Sequence, residues 1–163
     1  MISKGVIIIK KYIKDIFLFI IILLLWLLSG LIFKFDADFY NLLKIPSFAL
    51  NGKYISIIWF IIYILTTISI ILINKKTNIF KEKDYFNILI TNYLSNQLFT
   101  YFFFYLKSPF LGFIITTVNF ISTIYLFLET KKISKTSSYF LIPYIVYGIY
   151  AFILMTSVYF MNF

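Results

Sequence analysis

Five uncharged stretches, each long enough to cross a bilayer as a helix, leave this 163-residue chain little choice of architecture. They cover residues 16–33, 54–73, 85–106, 109–128 and 139–160, and none contains Lys, Asp or Glu. A helix rises about 1.5 Å per residue, so about 20 apolar residues cross the roughly 30 Å hydrocarbon layer. Composition agrees: 62% of residues are hydrophobic and only 13% charged, against about 25% charged in soluble domains. A soluble domain of this size has too much surface for its volume to hide so much apolar area. The expected fold is therefore all-α, an integral membrane bundle of five transmembrane helices forming a single domain over residues 1–163. Lysines precede the first run, as in a secretory signal. Its apolar stretch is longer than a signal core and no small-x-small cleavage pattern follows, so it is read as a span.

The lysines set the expected orientation. Eleven precede the first span or lie in the connections between spans two and three and spans four and five, among them Lys4, Lys10, Lys11 and Lys14. Four, Lys34, Lys44, Lys53 and Lys107, lie on the other side. Positively charged short loops stay cytoplasmic, which predicts an inside N-terminus, an outside C-terminus and a long external loop over 34–53. Heavy use of Ile, Lys, Asn, Phe and Tyr is similar to the bias of AT-rich microbial genomes, so a bacterial cytoplasmic membrane is the expected location.

Several chemistries are excluded. The chain has no Cys and no His, which removes disulfides, thiolate nucleophiles, imidazole bases and the usual nitrogen and sulfur metal ligands. No metal site or catalytic residue is expected. All fifteen basic residues are lysines, whereas nucleic-acid readers lean on arginine forks. The expected partner is the lipid bilayer, with no nucleic acid. The spans also lack the ionisable groups that ion-driven carriers need.

Polar and aromatic residues inside the spans are the candidates for function. Asn92 and Asn96 are one helical turn apart and share a face, with Ser95 beside them and Phe99 continuing it. Asn119, Ser122 and Thr123 lie in the fourth span. A buried amide costs free energy unless it is paired, so such groups either glue helices together or line a mixed pocket. Trp59 and Tyr63 form a second same-face pair, and Tyr144, Tyr147 and Ala151 mark a face of the fifth span. Aromatics at these spacings also suit an interfacial belt.

Together these features resemble the TspO/MBR family, the tryptophan-rich sensory proteins and translocator proteins also known as peripheral-type benzodiazepine receptors. In "KIPSFALNGKYISIIWFIIY", Pro46, Trp59 and Tyr63 stand in register with the family pattern Lys-Pro-x-Trp followed by Val-Trp-x-x-Leu-Tyr, and Phe48 takes the first tryptophan position. "LSNQLFTYFFFYLKSPFLGF" keeps the family asparagine as Asn96 and the Phe-Phe pair as Phe103 and Phe104, with Phe99 replacing a tryptophan. "SYFLIPYIVYGIYAFIL" matches at Pro143, Tyr144, Tyr150, Ala151 and Leu154. The departures are Tyr147 at the fifth-span tryptophan, Met155 at an asparagine, Ile115 at the fourth-span aspartate, and Leu50 and Asn51 at a double proline.

The resemblance implies a five-helix bundle whose cavity opens toward the first loop and binds porphyrins, sterols or synthetic aromatic ligands. It places Trp59 and Tyr63 on one wall, Asn96 and Phe99 opposite, Tyr147 and Ala151 on the fifth helix, and Pro46 and Phe48 in a lid; Asn92, on the face of Asn96 by spacing, joins them as a candidate ligand-binding residue. Lys44 and Lys53 are candidates to meet the charged propionates of a porphyrin. The expected function is a membrane receptor or sensor for a porphyrin or similar planar hydrophobic molecule, with no obligatory cofactor. Alternatives are a transporter of tetrapyrroles or other hydrophobic ligands, and a small accessory or structural membrane protein with a decayed pocket. Some family members are described as degrading porphyrin in light through tryptophan chemistry; with Tyr147 at one such position, binding without catalysis is expected here. The family includes dimers, so a homodimer is a candidate assembly. Residues 85–106 contain no Gly or Ala, so a close-packed interface there is not expected.

Overall fold

The computed structural model describes residues 2–33 and 36–163, with side chains from residue 12 onward. Lys34, and the side chains of Lys4, Lys10 and Lys11 used for orientation, lie outside the described residues. Every described element is a helix: α1 (Ile2–Ile32), α2 (Ala37–Leu42), α3 (Gly52–Lys76), α4 (Lys83–Thr100, continued by a π-helical segment Tyr101–Tyr105), α5 (Pro109–Ile133), α6 (Lys135–Tyr139) and α7 (Ile142–Met161).

Helix ends follow local chemistry. Asp36 caps α2 by accepting from the Phe39 N–H at 2.8 Å, and Ser108 caps α5 by accepting from the Leu111 N–H at 3.2 Å, both satisfying orphan amide donors. Pro109 opens α5, where its missing N–H costs nothing. Lys75 and Lys76 close α3, and Lys131 and Lys132 close α5, where cations complement the helix dipole.

Four helical stretches among the described residues are long and apolar enough to cross a membrane on length and composition: Tyr12–Ile32, Gly52–Lys76, Pro109–Ile133 and Lys135–Met161. This corrects the expected count of five. The expected span over 85–106 is helical, but Asn87, Asn92, Asn96 and Gln97 make α4 too polar to qualify by composition. Asn87 is exposed near the start of the helix, while the other amides are spent on neighbouring helices. Gln97 donates to the Trp26 carbonyl at 3.2 Å and accepts from the Ser29 N–H at 2.8 Å. Asn92, fully buried, donates to Ser122 Oγ at 3.0 Å and Thr123 Oγ1 at 2.9 Å. A polar helix is tolerated in a bundle when its polar groups face protein.

The long helices form a ring. α1 lies between α3 and α4, α5 lies between α4 and α7, and α3 meets α7 along a shorter seam. One end is filled by a core containing Ile70, Ile73, Tyr85, Leu89, Leu126 and Leu141. There α6 packs against α3, with Ser69 Oγ donating to the Ser137 carbonyl at 2.9 Å. The other end, beside the 36–51 connection, is hollow.

Candidate functional site

The hollow end holds a cavity of about 430 Å³, within the roughly 300–1,000 Å³ range of small-molecule sites. Its walls come from the C-terminal half of α1, the N-terminal half of α3, the end of α4 with its π segment, and the facing parts of α5 and α7.

The floor is a buried hydrogen-bond network. Tyr63 Oη donates to Asn96 Oδ1 at 2.8 Å, and Asn96 Nδ2 reaches Tyr144 Oη at 3.4 Å. Tyr144 Oη donates to Asn119 Oδ1 at 3.2 Å, while Asn119 Nδ2 lies 3.1 Å from Ser95 Oγ. Four helices, α3, α4, α5 and α7, are thus tied at one level. Satisfied networks of this kind in a low-dielectric interior fix geometry, because each group left unpaired would carry a desolvation cost.

Aromatic rings rise from that floor. Trp26 stacks on Tyr63 at 5.6 Å between centroids and 18° between planes. Trp59 lies 5.7 Å from Tyr63 and meets Tyr147 edge-on at 5.5 Å. On the opposite wall the π segment adds one residue to the helical turn, with the Leu106 N–H bonding the Tyr101 carbonyl five residues back at 2.9 Å. Through this widening Phe99, Phe103 and Phe104 all reach the cavity, with Phe99 and Phe103 stacked at 5.4 Å. Such π insertions frequently mark functional sites in helices. Gly112 of α5 lets Phe103 sit there: a Cβ at this position would lie 2.7 Å from the Phe103 ring.

The roof is α2. Phe39 is buried against Phe103, Met155 and Val158, and Tyr40 and Leu43 pack on the same cluster. Three polar latches hold the connection down. Asp36 pairs with Lys107 at 2.8 Å. The Lys44 N–H donates to Asn162 Oδ1 at 2.8 Å while Asn162 Nδ2 donates back to the Lys44 carbonyl at 2.9 Å. The Leu50 N–H donates to Tyr150 Oη at 2.8 Å. The least covered side is the seam between α1 and α3, where the lining residues Gly30, Gly52 and Ser56 are exposed and both glycines face open space.

Of the residues the sequence nominates, Trp59, Tyr63, Asn96, Phe99, Tyr147 and Ala151 line the cavity. Asn92 does not: it lies below the floor and braces α5. Pro46 and Phe48 are also outside the lining. Pro46 opens a turn closed by the Ala49 N–H to its carbonyl at 3.0 Å. Phe48 is 48% exposed, with its ring edge-on to Tyr150 at 6.4 Å. Lys44 and Lys53 are exposed and outside the lining as well. Sequence reasoning passed over Trp26, Tyr40 and Phe103 as wall residues, and named Asn119 as helix glue or pocket lining without placing it on a wall. For Asn119 the signal was present, a lone amide in an apolar run; for Tyr40 it was the Asp36 cap that starts a helix inside the connection.

Comparison with known proteins gives an independent result. The model of the TspO/MBR family matches residues 17–161. The chain is 31% identical over 153 residues to the uncharacterized membrane protein YtaB of Bacillus subtilis, covering 94% of this chain and 99% of the relative. It is also 31% identical over 138 residues to the tryptophan-rich protein TspO of Bacillus cereus, covering 85% of this chain and 90% of the relative.

Proposed function

We propose, from the premise that this chain belongs to the TspO/MBR family, that it is a membrane receptor that binds a porphyrin-like, planar hydrophobic molecule inside its helix ring. The observation that supports this most strongly is the cavity itself. Stacked and edge-on rings from α1, α3, α4 and α7 enclose about 430 Å³ above a polar floor. Flat apolar ligands gain from such walls because ring faces stack, while a few fixed amides set orientation. Asn96 has a second amide hydrogen beyond the one reaching Tyr144, a donor suited to a ligand oxygen.

The reading is one of binding rather than catalysis, and of a sensor rather than an ion-coupled carrier. The described lining residues offer aromatic, aliphatic, hydroxyl and amide groups, with no carboxylate or amine among them to relay protons. We place the N-terminus on the cytoplasmic side of a bacterial membrane and the roofed end outside, on the lysine distribution.

Titrating the purified protein with protoporphyrin while following tryptophan fluorescence tests the reading. Trp26 and Trp59 both line the cavity, so saturable quenching of both is expected. Ala151→Phe, which fills the cavity from α7, should abolish it. Quenching that never saturates, or that is the same in Ala151→Phe, would refute ligand binding at this site.

A further inference from the structure

We infer that the bundle holds an internal water-binding site one helical turn below the cavity floor, between Asn92 of α4 and Thr66 and Thr67 of α3, and that water held there joins the two helices across the ring. The floor fixes the register. α3 and α4 run in opposite directions, and Tyr63 Oη meets Asn96 Oδ1 at 2.8 Å. One turn from that contact toward the solid end lie Asn92 on α4 and, three and four residues past Tyr63, Thr66 and Thr67 on α3, the spacings that keep residues on one helix face. Asn92, Thr66 and Thr67 are 0%, 1% and 0% exposed. Asn92 Oδ1 and both threonine hydroxyls have no hydrogen-bond partner among the described residues. A buried polar atom left unpaired carries a desolvation cost, and the large majority of such atoms are met by protein or by ordered water.

The network sets the orientation of the Asn92 amide. Ser122 Oγ and Thr123 Oγ1 each give their single hydrogen to the Asn119 carbonyl, at 2.9 and 2.8 Å, so toward Asn92 they can only accept. Asn92 Nδ2 therefore turns to α5, 3.0 and 2.9 Å from them. Its Oδ1, on the other branch of the planar amide, turns away from those two acceptors. The threonines of α3 also depart from the local rule. Thr117, Thr123 and Thr156 donate to the carbonyl four residues back at 2.8, 2.8 and 2.7 Å. Thr66 and Thr67 make no such bond, so their hydrogens are not committed to their own helix. Direct pairing with Asn92 fails on length. α1 stands between α3 and α4 in the ring, and the gap that the long Tyr63 side chain spans at the floor is beyond a hydroxyl carried on a single carbon. Water supplies the missing reach: one or two molecules accept from the threonine hydroxyls and donate to Asn92 Oδ1, and a buried water needs two to four such partners. The site is separate from the ligand cavity and does not depend on what the cavity binds.

A crystal structure of the full chain, at a resolution that shows ordered solvent, tests the site directly. Density for water within hydrogen-bond distance of Asn92 Oδ1 and of Thr66 or Thr67 Oγ1 is expected. Closure of these groups onto protein partners, with no water between them, overturns the inference. Thermal unfolding in nanodiscs adds a readout whose sign decides. Valine keeps the branched shape of threonine and removes the hydroxyl, so Thr66→Val/Thr67→Val takes partners from the water without opening a cavity. The double variant should unfold about 2–4 °C earlier, the shift that a lost buried hydrogen bond gives in a chain of this size, and the water density should vanish from its structure. If the hydroxyls hold no water, removing them relieves an unpaired polar group, and a midpoint unchanged or raised overturns the inference.

Discussion

The Tyr144 hydroxyl donates to Asn119 Oδ1 at 3.2 Å, receives Asn96 Nδ2 at 3.4 Å, and its ring supports Trp59 edge-on at 5.7 Å. It does not line the cavity, yet it holds two side chains that do. Tyr144→Phe keeps the ring and removes the hydroxyl, leaving Asn119 Oδ1 without that donor. A loss of about 1–2 kcal/mol in stability is expected from comparable buried bonds, read as an earlier thermal or denaturant transition in detergent, together with weaker ligand binding. An unchanged transition would show that the network does not tie the helices. Gly112 makes a second residue-scale case. Gly112→Ala places a methyl 2.7 Å from the Phe103 ring and 2.9 Å from the Met155 terminal methyl, both of which line the cavity and have room to give toward it. Overpacking of this kind costs about 1–3 kcal/mol. Here it should also shrink the cavity, so affinity for bulky ligands should fall more than affinity for small ones; equal losses would argue against it.

At the scale of elements, the apolar helices were legible and their ends were not. The runs at 54–73 and 109–128 fall within α3 and α5, that at 16–33 ends one residue past α1, and that at 139–160 crosses the turn at 140–141 into α7; uncharged apolar length is a direct signal of a span. The polar face of α4 was visible as Asn92 and Asn96, but spacing alone did not separate the two. Asn96 looks into the cavity, while Asn92, one turn earlier, faces α5 below the floor. The π segment left no periodic trace, since "TYFFFYL" is apolar in any register. α2 escaped notice because six residues are too few for a hydrophobic period to stand out, and so Pro46 and Phe48 were given the roof that Phe39 and Tyr40 form. That roof has its own testable dependence on pH. The hydrogen bond from Lys107, with help from the Phe39 N–H, holds the Asp36 carboxyl below its ordinary value of 3.8. A depressed carboxylate stabilises the folded form above the ordinary value and loses that contribution as pH falls through its lowered one. Hydrogen exchange of residues 37–43 should therefore be slow at neutral pH and lose protection below 3.8. In Asp36→Asn, which keeps a cap but not the charge, protection should be reduced at neutral pH and flat across that range. Identical profiles for the two proteins would remove the Asp36–Lys107 latch from the account.

For the whole molecule, one end is packed solid and the other is hollow, and the charge follows the same division. Beyond the N-terminal segment, the lysine-rich connections after α3 and α5 lie at the solid end. Lys44 of the 36–51 connection, Lys53 in the first turn of α3 and Lys107 lie at the hollow one. The chain has no cysteine, so single cysteines report cleanly on sidedness. Lys81→Cys should be shielded from a membrane-impermeant maleimide applied to intact cells, and Lys53→Cys should be labelled. The reverse pattern would invert the proposed topology. What the sequence could not convey was the order of helices around the ring, because contacts such as Trp26 on Tyr63 or Asn96 with Tyr144 join residues far apart along the chain.

The central claim is that a ligand sits inside the ring rather than on its lipid-facing surface. Photo-crosslinking with a neutral, diazirine-bearing planar aromatic probe, followed by peptide mapping, tests it most directly. Labels are expected on Trp59, Phe99, Phe103 and Ala151, suppressed by excess unlabelled protoporphyrin dimethyl ester and absent from Ala151→Phe. Labels concentrated on outward residues such as Leu24, Val118 and Tyr125, unaffected by the competitor, would contradict it.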